Sequence, residues 1–183
     1  MKKTLLVGSK LALICVIAAV VLGFVNAVTE PKIIQNKKEA LRRAIQSVAG
    51  NSETGEQTAV RDYPGVEYYY EIEDDGGGYI VKLIGTGYGG EMHLLAGYRP
   101  GGGIFSVVLM ENQETPGLGK KAEAEGYMDK YIGTGGDEPV PVLKDQLSRE
   151  EADAITGATI TFVGIGQALL NGSDFVKSLG EEK

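Results

Sequence analysis

Cysteine is nearly absent from this 183-residue chain, tryptophan is absent, and histidine occurs once. A single cysteine, Cys15, excludes a disulfide framework and any metal site built on clustered thiolates. With His93 as the lone histidine, every Ser-His-Asp or Cys-His arrangement would have to run through it. The chain also has no G-x-S-x-G elbow and no His-x-x-x-His pair. Conventional hydrolytic chemistry is poorly supported, and a lone strand histidine reads first as a structural or surface residue. Positive charge is scarce outside the N-terminus. Lys2, Lys3 and Lys10 are the only charges in residues 1–28, so the remainder holds the other 15 basic and all 25 acidic residues, a net −10. A surface that neutralises phosphate backbones needs a basic face, which argues against nucleic acid as a partner. What is plentiful is apolar residues, at 43% with nine Tyr and four Phe, enough for a core and against disorder. Glycine reaches 27 residues, roughly double ordinary usage, which suggests tight turns or close backbone approach to a ligand. The length leaves room for one domain of about 150 residues and an appendage.

The appendage is N-terminal. From Leu11 to Val25 the chain is continuously apolar, and only Asn26 interrupts it before Val28. Two readings fit. A basic start, an apolar stretch and Val25-Asn26-Ala27 as a small-residue cleavage site describe a signal peptide. The 18 residues from Leu11 to Val28, extended by a snorkelling Lys10, equally describe a membrane anchor. Both leave the lysines in the cytoplasm and export everything after Thr29. A lipoprotein reading fails, because Ile14 precedes Cys15 where a small residue is required. Cys15 itself is then an inert apolar residue.

Beyond it, Ala40, Leu41, Ala44, Ile45 and Val48 form one stripe of an amphipathic helix over Asn36–Gly50. Residues 51–65 are polar and turn-rich. Four strand-like runs follow, Val66–Glu73, Tyr79–Ile84, Met92–Tyr98 and Ile104–Met110, joined by short glycine-rich turns that favour antiparallel neighbours. Lys120–Tyr131 reads as helical, the segment around Pro139–Leu143 as extended, and Ile160–Leu179 as one or two helices broken near Asn171-Gly172. Helix, strands, helices in that order indicate an α+β domain with a mainly antiparallel sheet.

Three stretches carry candidate chemistry. Gly85-Thr86-Gly87-Tyr88-Gly89-Gly90 spells G-x-G-x-x-G after a strand. The dinucleotide fingerprint needs a helix next, whereas Glu91–Tyr98 reads as another strand, so a hairpin turn or a backbone approach to a flat or anionic ligand is expected instead. Glu114-Thr115-Pro116-Gly117-Leu118-Gly119 is a turn after the last strand. Asp153-Ala154-Ile155-Thr156-Gly157-Ala158-Thr159-Ile160-Thr161 sets Thr156, Thr159 and Thr161 among small residues immediately before an apolar helix. Hydroxyls and unpaired amides at a helix N-terminus favour an anion, and the plainer alternative is that Thr156 or Thr159 only caps the helix.

Asp153-x-x-Thr156-Gly157-Ala158-Thr159 resembles the flavinylation motif of the FMN-binding domain family. Gly87-Tyr88-Gly89-Gly90 and Glu114–Gly119 resemble that family in the expected order, and with the N-terminal segment the likeness spans almost the whole chain. It is nearest to the G subunits of Rnf-type ion-translocating electron transport complexes, with the C subunit of sodium-translocating NADH:quinone reductase as a relative. Thr156 stands where Ser is frequent in the motif, which keeps the hydroxyl. The resemblance implies FMN esterified through its phosphate to the Thr159 hydroxyl by a flavin transferase. Thr156, Gly157 and Ala158 would give close backbone approach, and Gly87, Tyr88, Gly89, Glu114, Thr115, Gly117 and Leu118 would line the flavin. Tyr88 would either stack on the ring or pack on a neighbour.

The resemblance also implies a retained anchor: a cytoplasmic stub 1–10, a transmembrane span 11–28, a juxtamembrane helix and linker 29–65, and a single extracytoplasmic FMN-binding domain 66–183. Such a protein relays electrons inside a membrane complex that couples ferredoxin and NAD to ion movement, and is not catalytic alone. A free-standing extracytoplasmic flavin carrier and a non-redox, membrane-tethered assembly module are the alternatives.

Overall fold

The fold is taken from a computed structural model, which describes residues 2–73 and 76–181. The chain forms two compact units, residues 1–42 and 43–183. Helix α1 (Lys2–Ala49) runs without a break through the expected span and the expected amphipathic helix, despite Pro31 inside it. The first residue of the expected stub lies outside the described residues. In the first unit the large apolar side chains from Leu6 to Val28 are exposed, and the helix is long and apolar enough to cross a membrane. The helix stops where glycine permits a left-handed residue. Gly50 adopts φ +64° and its N–H bonds the Gln46 carbonyl at 2.9 Å.

The second unit is built on an antiparallel sheet. Strands β1 (Glu53–Thr54), β2 (Thr58–Ala59), β3 (Val66–Glu73), β4 (Tyr79–Thr86), β5 (Glu91–Tyr98) and β6 (Ile104–Glu111) run in the order β1-β3-β4-β5-β6, with β2 also paired to β3. The four long strands fall where the sequence places them, with three of their ends extended by one or two residues. The two short strands arise within the polar stretch 51–65, whose lack of alternation hid them. Helix α3 (Thr159–Glu181) covers one face of the sheet. Phe162, Ile165, Leu169 and Val176 recur at helical spacing and are fully buried together with Val81, Leu83, Leu94, Ala96 and Tyr98. Each such large side chain contributes about 1.5–3 kcal/mol on burial. The helix lies close on β4, because a side chain at Gly164 would collide with the Thr86 carbonyl.

Two expectations are corrected. Helix α3 does not break at Asn171-Gly172, because the Tyr98 hydroxyl donates to the Leu169 carbonyl at 2.9 Å and occupies the space a Gly172 side chain would need. Burial offsets what the Asn-Gly pair costs locally. Lys120–Tyr131 is not one helix but two 3₁₀ turns, Gly119–Glu123 and Tyr127–Tyr131, separated at Gly126, whose φ of +77° no right-handed helix accommodates. The segment around Pro139–Leu143 is free of helix as expected, with Leu143 in extended backbone, and pairs in no strand. A short helix α2 (Arg149–Ala154) was missed, although Ser148-x-x-Glu151 is a capping-box pattern.

Candidate cofactor site

The site is built from the connection between α2 and α3. Ser148 caps α2: its hydroxyl accepts the Glu151 N–H, and the Glu151 carboxylate accepts the Ser148 N–H at 3.0 Å. After α2 the chain turns twice, with the Thr156 N–H on the Asp153 carbonyl (3.1 Å) and the Ala158 N–H on the Ile155 carbonyl (2.8 Å). Gly157 takes φ +83° between them. The first bond of α3 runs from the Phe162 N–H to the Ala158 carbonyl, 3.0 Å. Ala158 therefore stands at the N-cap with no side-chain acceptor, and the amides of Thr159, Ile160 and Thr161 precede the helical ladder.

Neither threonine caps the helix. The Thr156 hydroxyl donates to the Ala152 carbonyl (3.3 Å) and accepts from Lys144 Nζ (3.0 Å). Thr159 is exposed, and its hydroxyl has no hydrogen-bond partner among the described residues. The plainer alternative weighed from the sequence thus loses its structural basis. A helix terminus with unpaired amides and no cap is a favourable place for negative charge.

Beside Thr159 opens a cavity of ≈ 310 Å³, walled by Tyr88, Leu118, Ile160, Thr115, Glu114 and the Gly157–Thr161 backbone. Tyr88, Leu118 and Ile160 are 74%, 48% and 54% exposed, an unusual exposure for large apolar groups unless something covers them. Its back wall is the Glu114 carboxylate, 3% exposed. One oxygen accepts the Gly89 N–H at 2.8 Å and the other the Thr161 hydroxyl at 2.7 Å, while the Glu114 N–H donates to Asn112 Oδ1 at 3.1 Å. Gly87 and Gly119 are glycine because any side chain there would strike this carboxylate. The G-x-G-x-x-G stretch is a β4–β5 hairpin, closed by the Gly87 N–H on the Gly90 carbonyl at 2.8 Å, and not a strand-to-helix turn.

Of the residues singled out in the sequence, the fold brings Tyr88, Glu114, Thr115, Leu118, Gly157, Ala158 and Thr159 onto one cavity. Gly87, Gly89, Gly117 and Thr156 lie outside its lining; Gly87 and Gly89 stand behind Glu114. Gly119, Ile160 and Thr161 line the cavity too, although the sequence reading, which noted the Thr161 hydroxyl and the Glu114–Gly119 stretch, assigned none of the three to the ligand. A second groove of ≈ 430 Å³ lies against Thr159 and Ile160 as well, lined further by Ile84, Thr86, Val163, Gln167 and Asn171. Thr159 is a ridge between the two. Sequence reasoning also missed the cations. Lys121 Nζ bonds the Thr156 carbonyl at 3.0 Å and Lys144 Nζ its hydroxyl, so two ammonium groups flank the residue three places before Thr159. His93 is on β5 with Nδ1 3.8 Å from a Glu67 oxygen and lines neither space.

A flat, largely apolar ring with an anionic tail fits this set: apolar walls, a cavity at the lower end of ligand-site volumes, uncapped amides and nearby ammonium groups. Comparison with known proteins agrees. Residues 87–173 match the model of the FMN-binding domain, and residues 1–48 that of the RnfG N-terminal region. The chain carries an FMN-binding domain over residues 87–173. The chain is similar to the G subunit of the proton-translocating ferredoxin:NAD(+) oxidoreductase complex of Clostridium ljungdahlii, 24% identical over 85% of this chain and 82% of the relative. It is also 26% identical to the G subunit of the ion-translocating oxidoreductase complex of Methanosarcina acetivorans, over 92% of both chains. The G subunit of the Na(+)-translocating ferredoxin:NAD(+) oxidoreductase complex of Acetobacterium woodii is 39% identical over 46% of this chain and 42% of that relative. The FMN-binding match contains the cavity lining, the turn after β4 and strand β5 but not β4 itself, and the first two thirds of α3.

Proposed function

We propose that this chain is the membrane-anchored flavoprotein component of an Rnf-type complex, carrying FMN on Thr159 and passing electrons between other subunits of a ferredoxin:NAD oxidoreductase that moves ions. The observation that carries the attachment is the Thr159 hydroxyl: exposed, unbonded, and on the first turn of an uncapped helix inside the FMN-binding match. When bound, FMN supplies the one- and two-electron chemistry. The protein's own residues position it. The amides of Ile160 and Thr161 and the α3 dipole stabilise the phosphate charge. Tyr88, Leu118 and Ile160 cover the ring, with Glu114 behind them.

The division proposed is a stub 1–10, a span 11–28, a helix and linker 29–65, and the FMN-binding domain 66–183 outside the cytoplasm. It is supported by the exposed apolar run of α1 and by the three lysines before it. A flavin transferase is the maturation partner.

The test is intact mass of the full chain after co-expression with a flavin transferase. Joining FMN to the hydroxyl expels water, so wild type gains FMN minus water and Thr159→Ala gains nothing. Absence of an adduct on wild type, or an adduct that survives Thr159→Ala, refutes the attachment. Loss of residues 1–27 in the same spectrum identifies the free-standing carrier instead.

A further inference from the structure

We infer that Glu114 is a positioning and tuning residue that holds a fixed negative charge against the flavin and lowers its reduction potential; the inference rests on the functional reading above. Glu114 is the buried carboxylate of the cavity, and three separate segments are organised around it. The β4–β5 hairpin donates through the Gly89 N–H, α3 donates through the Thr161 hydroxyl, and the loop after β6 supplies the residue itself. Both oxygens receive donors, the pattern of an acceptor-only carboxylate. Gly87 and Gly119 remove the side chains that would displace it. Among the described residues no lysine, arginine or histidine pairs with it. The nearby ammonium groups are engaged elsewhere, Lys120 with Glu123 and Lys121 with the Thr156 carbonyl.

A clasp alone does not explain a carboxylate here. Glutamine in the same place would accept the Gly89 N–H and donate to the Thr161 oxygen, joining the same three segments without burying a charge. Taking an unpaired charge out of water is costly, and the surrounding Met92, Leu118 and Ile160 offer no compensation. What the charge adds is a field. In a water-poor cavity two charges interact far more strongly than in solvent. Each electron delivered to a flavin by a one-electron donor adds one negative charge to the ring unless a proton follows. A carboxylate fixed in the cavity wall opposes that addition and favours the oxidised ring, making the bound flavin a stronger reductant once loaded.

The experiment is a spectroelectrochemical titration of the full chain in detergent, loaded by co-expression with a flavin transferase, comparing wild type, Glu114→Gln and Glu114→Asp. Glu114→Gln keeps shape and hydrogen bonds and removes the charge. It is expected to shift the first one-electron equilibrium at least tenfold toward reduction, a rise of about 59 mV. Glu114→Asp keeps the charge and is expected to move less than half as far. A smaller rise in Glu114→Gln, or an equal movement in Glu114→Asp, overturns the inference; if Glu114→Gln fails to fold, the Asp variant alone decides, a rise of about 59 mV there refuting it. A wild-type chain that takes up no flavin overturns the functional reading and this inference with it. A loaded chain whose potential ignores Glu114 overturns the inference alone.

Discussion

Replacing Thr161 by valine exchanges one hydroxyl for a methyl and alters nothing else of the side chain. Thr161 is 1% exposed, and its hydroxyl donates to a Glu114 oxygen at 2.7 Å. The substitution leaves that oxygen without its donor in a residue that is only 3% exposed. Hydrogen bonds to charged groups contribute about 1.5–3 kcal/mol, and the stranded acceptor adds its own desolvation cost, so a loss of about 2–3 kcal/mol is expected. Valine and threonine are both β-branched, so helix propensity is nearly unchanged. For a folded unit of about 140 residues, 1 kcal/mol corresponds to roughly 3–4 °C, so the melting temperature should fall by about 6–12 °C. The assay is thermal and urea unfolding of the full chain in detergent, with Thr161→Ser as the control that keeps the hydroxyl. A double-mutant cycle with Glu114→Ala, which removes the acceptor, isolates the pair and should return a coupling of about 1 kcal/mol or more. If Thr161→Val costs less than about 0.5 kcal/mol, well under the range for a buried charged hydrogen bond, the Glu114 network does not hold the cavity together.

Further expectations concern other parts of the unit. Gly172→Ala should destabilise by about 1–3 kcal/mol through collision with the Tyr98 hydroxyl and ring, and Tyr98→Phe should relieve the hydroxyl's part of that cost; equal losses in both backgrounds in chemical unfolding would contradict it. Lys121→Ala combined with Lys144→Ala should slow flavin attachment to Thr159 several-fold, more at low salt than at high, read by intact mass against time. The Glu151 carboxyl is held below its ordinary 4.5, first by the Ser148 hydroxyl and then by the Ser148 N–H. A carboxyl with a lowered folded-state value stabilises the fold above its ordinary value, and the contribution disappears as pH falls through the folded-state value. Protection factors of α2 amides should therefore fall from neutral to acid pH while those of α3 hold, and Ser148→Ala should reduce that fall, the Ser148 N–H bond remaining.

The strands were legible because each hydrophobic run ends at glycine-rich punctuation, and pairing then follows from short turns. Thr159 was legible because its motif is local. What escaped detection was non-local. The Asn171-Gly172 pair looks like a break until Tyr98, far away along the chain, is seen beneath it. Lys121 and Lys144 acquire meaning only when the fold delivers both to Thr156. Glu114 read as one more residue facing the ligand, while its donors, Gly89 and Thr161, lie on opposite sides of it in sequence. The capping box of α2 was the exception, a local signal that was available and overlooked.

The ridge at Thr159 has one more consequence, for concentration. On the proposed attachment, the bond converts flavin docking from an encounter between two molecules into folding of a tethered group. Short flexible tethers give effective concentrations in the millimolar range. A cavity that would hold free flavin with only millimolar affinity, about −4 kcal/mol, is then already about half filled. Walls as open as Tyr88 and Leu118 need not grip the ring tightly, and that same openness leaves an edge of it within reach of the next carrier.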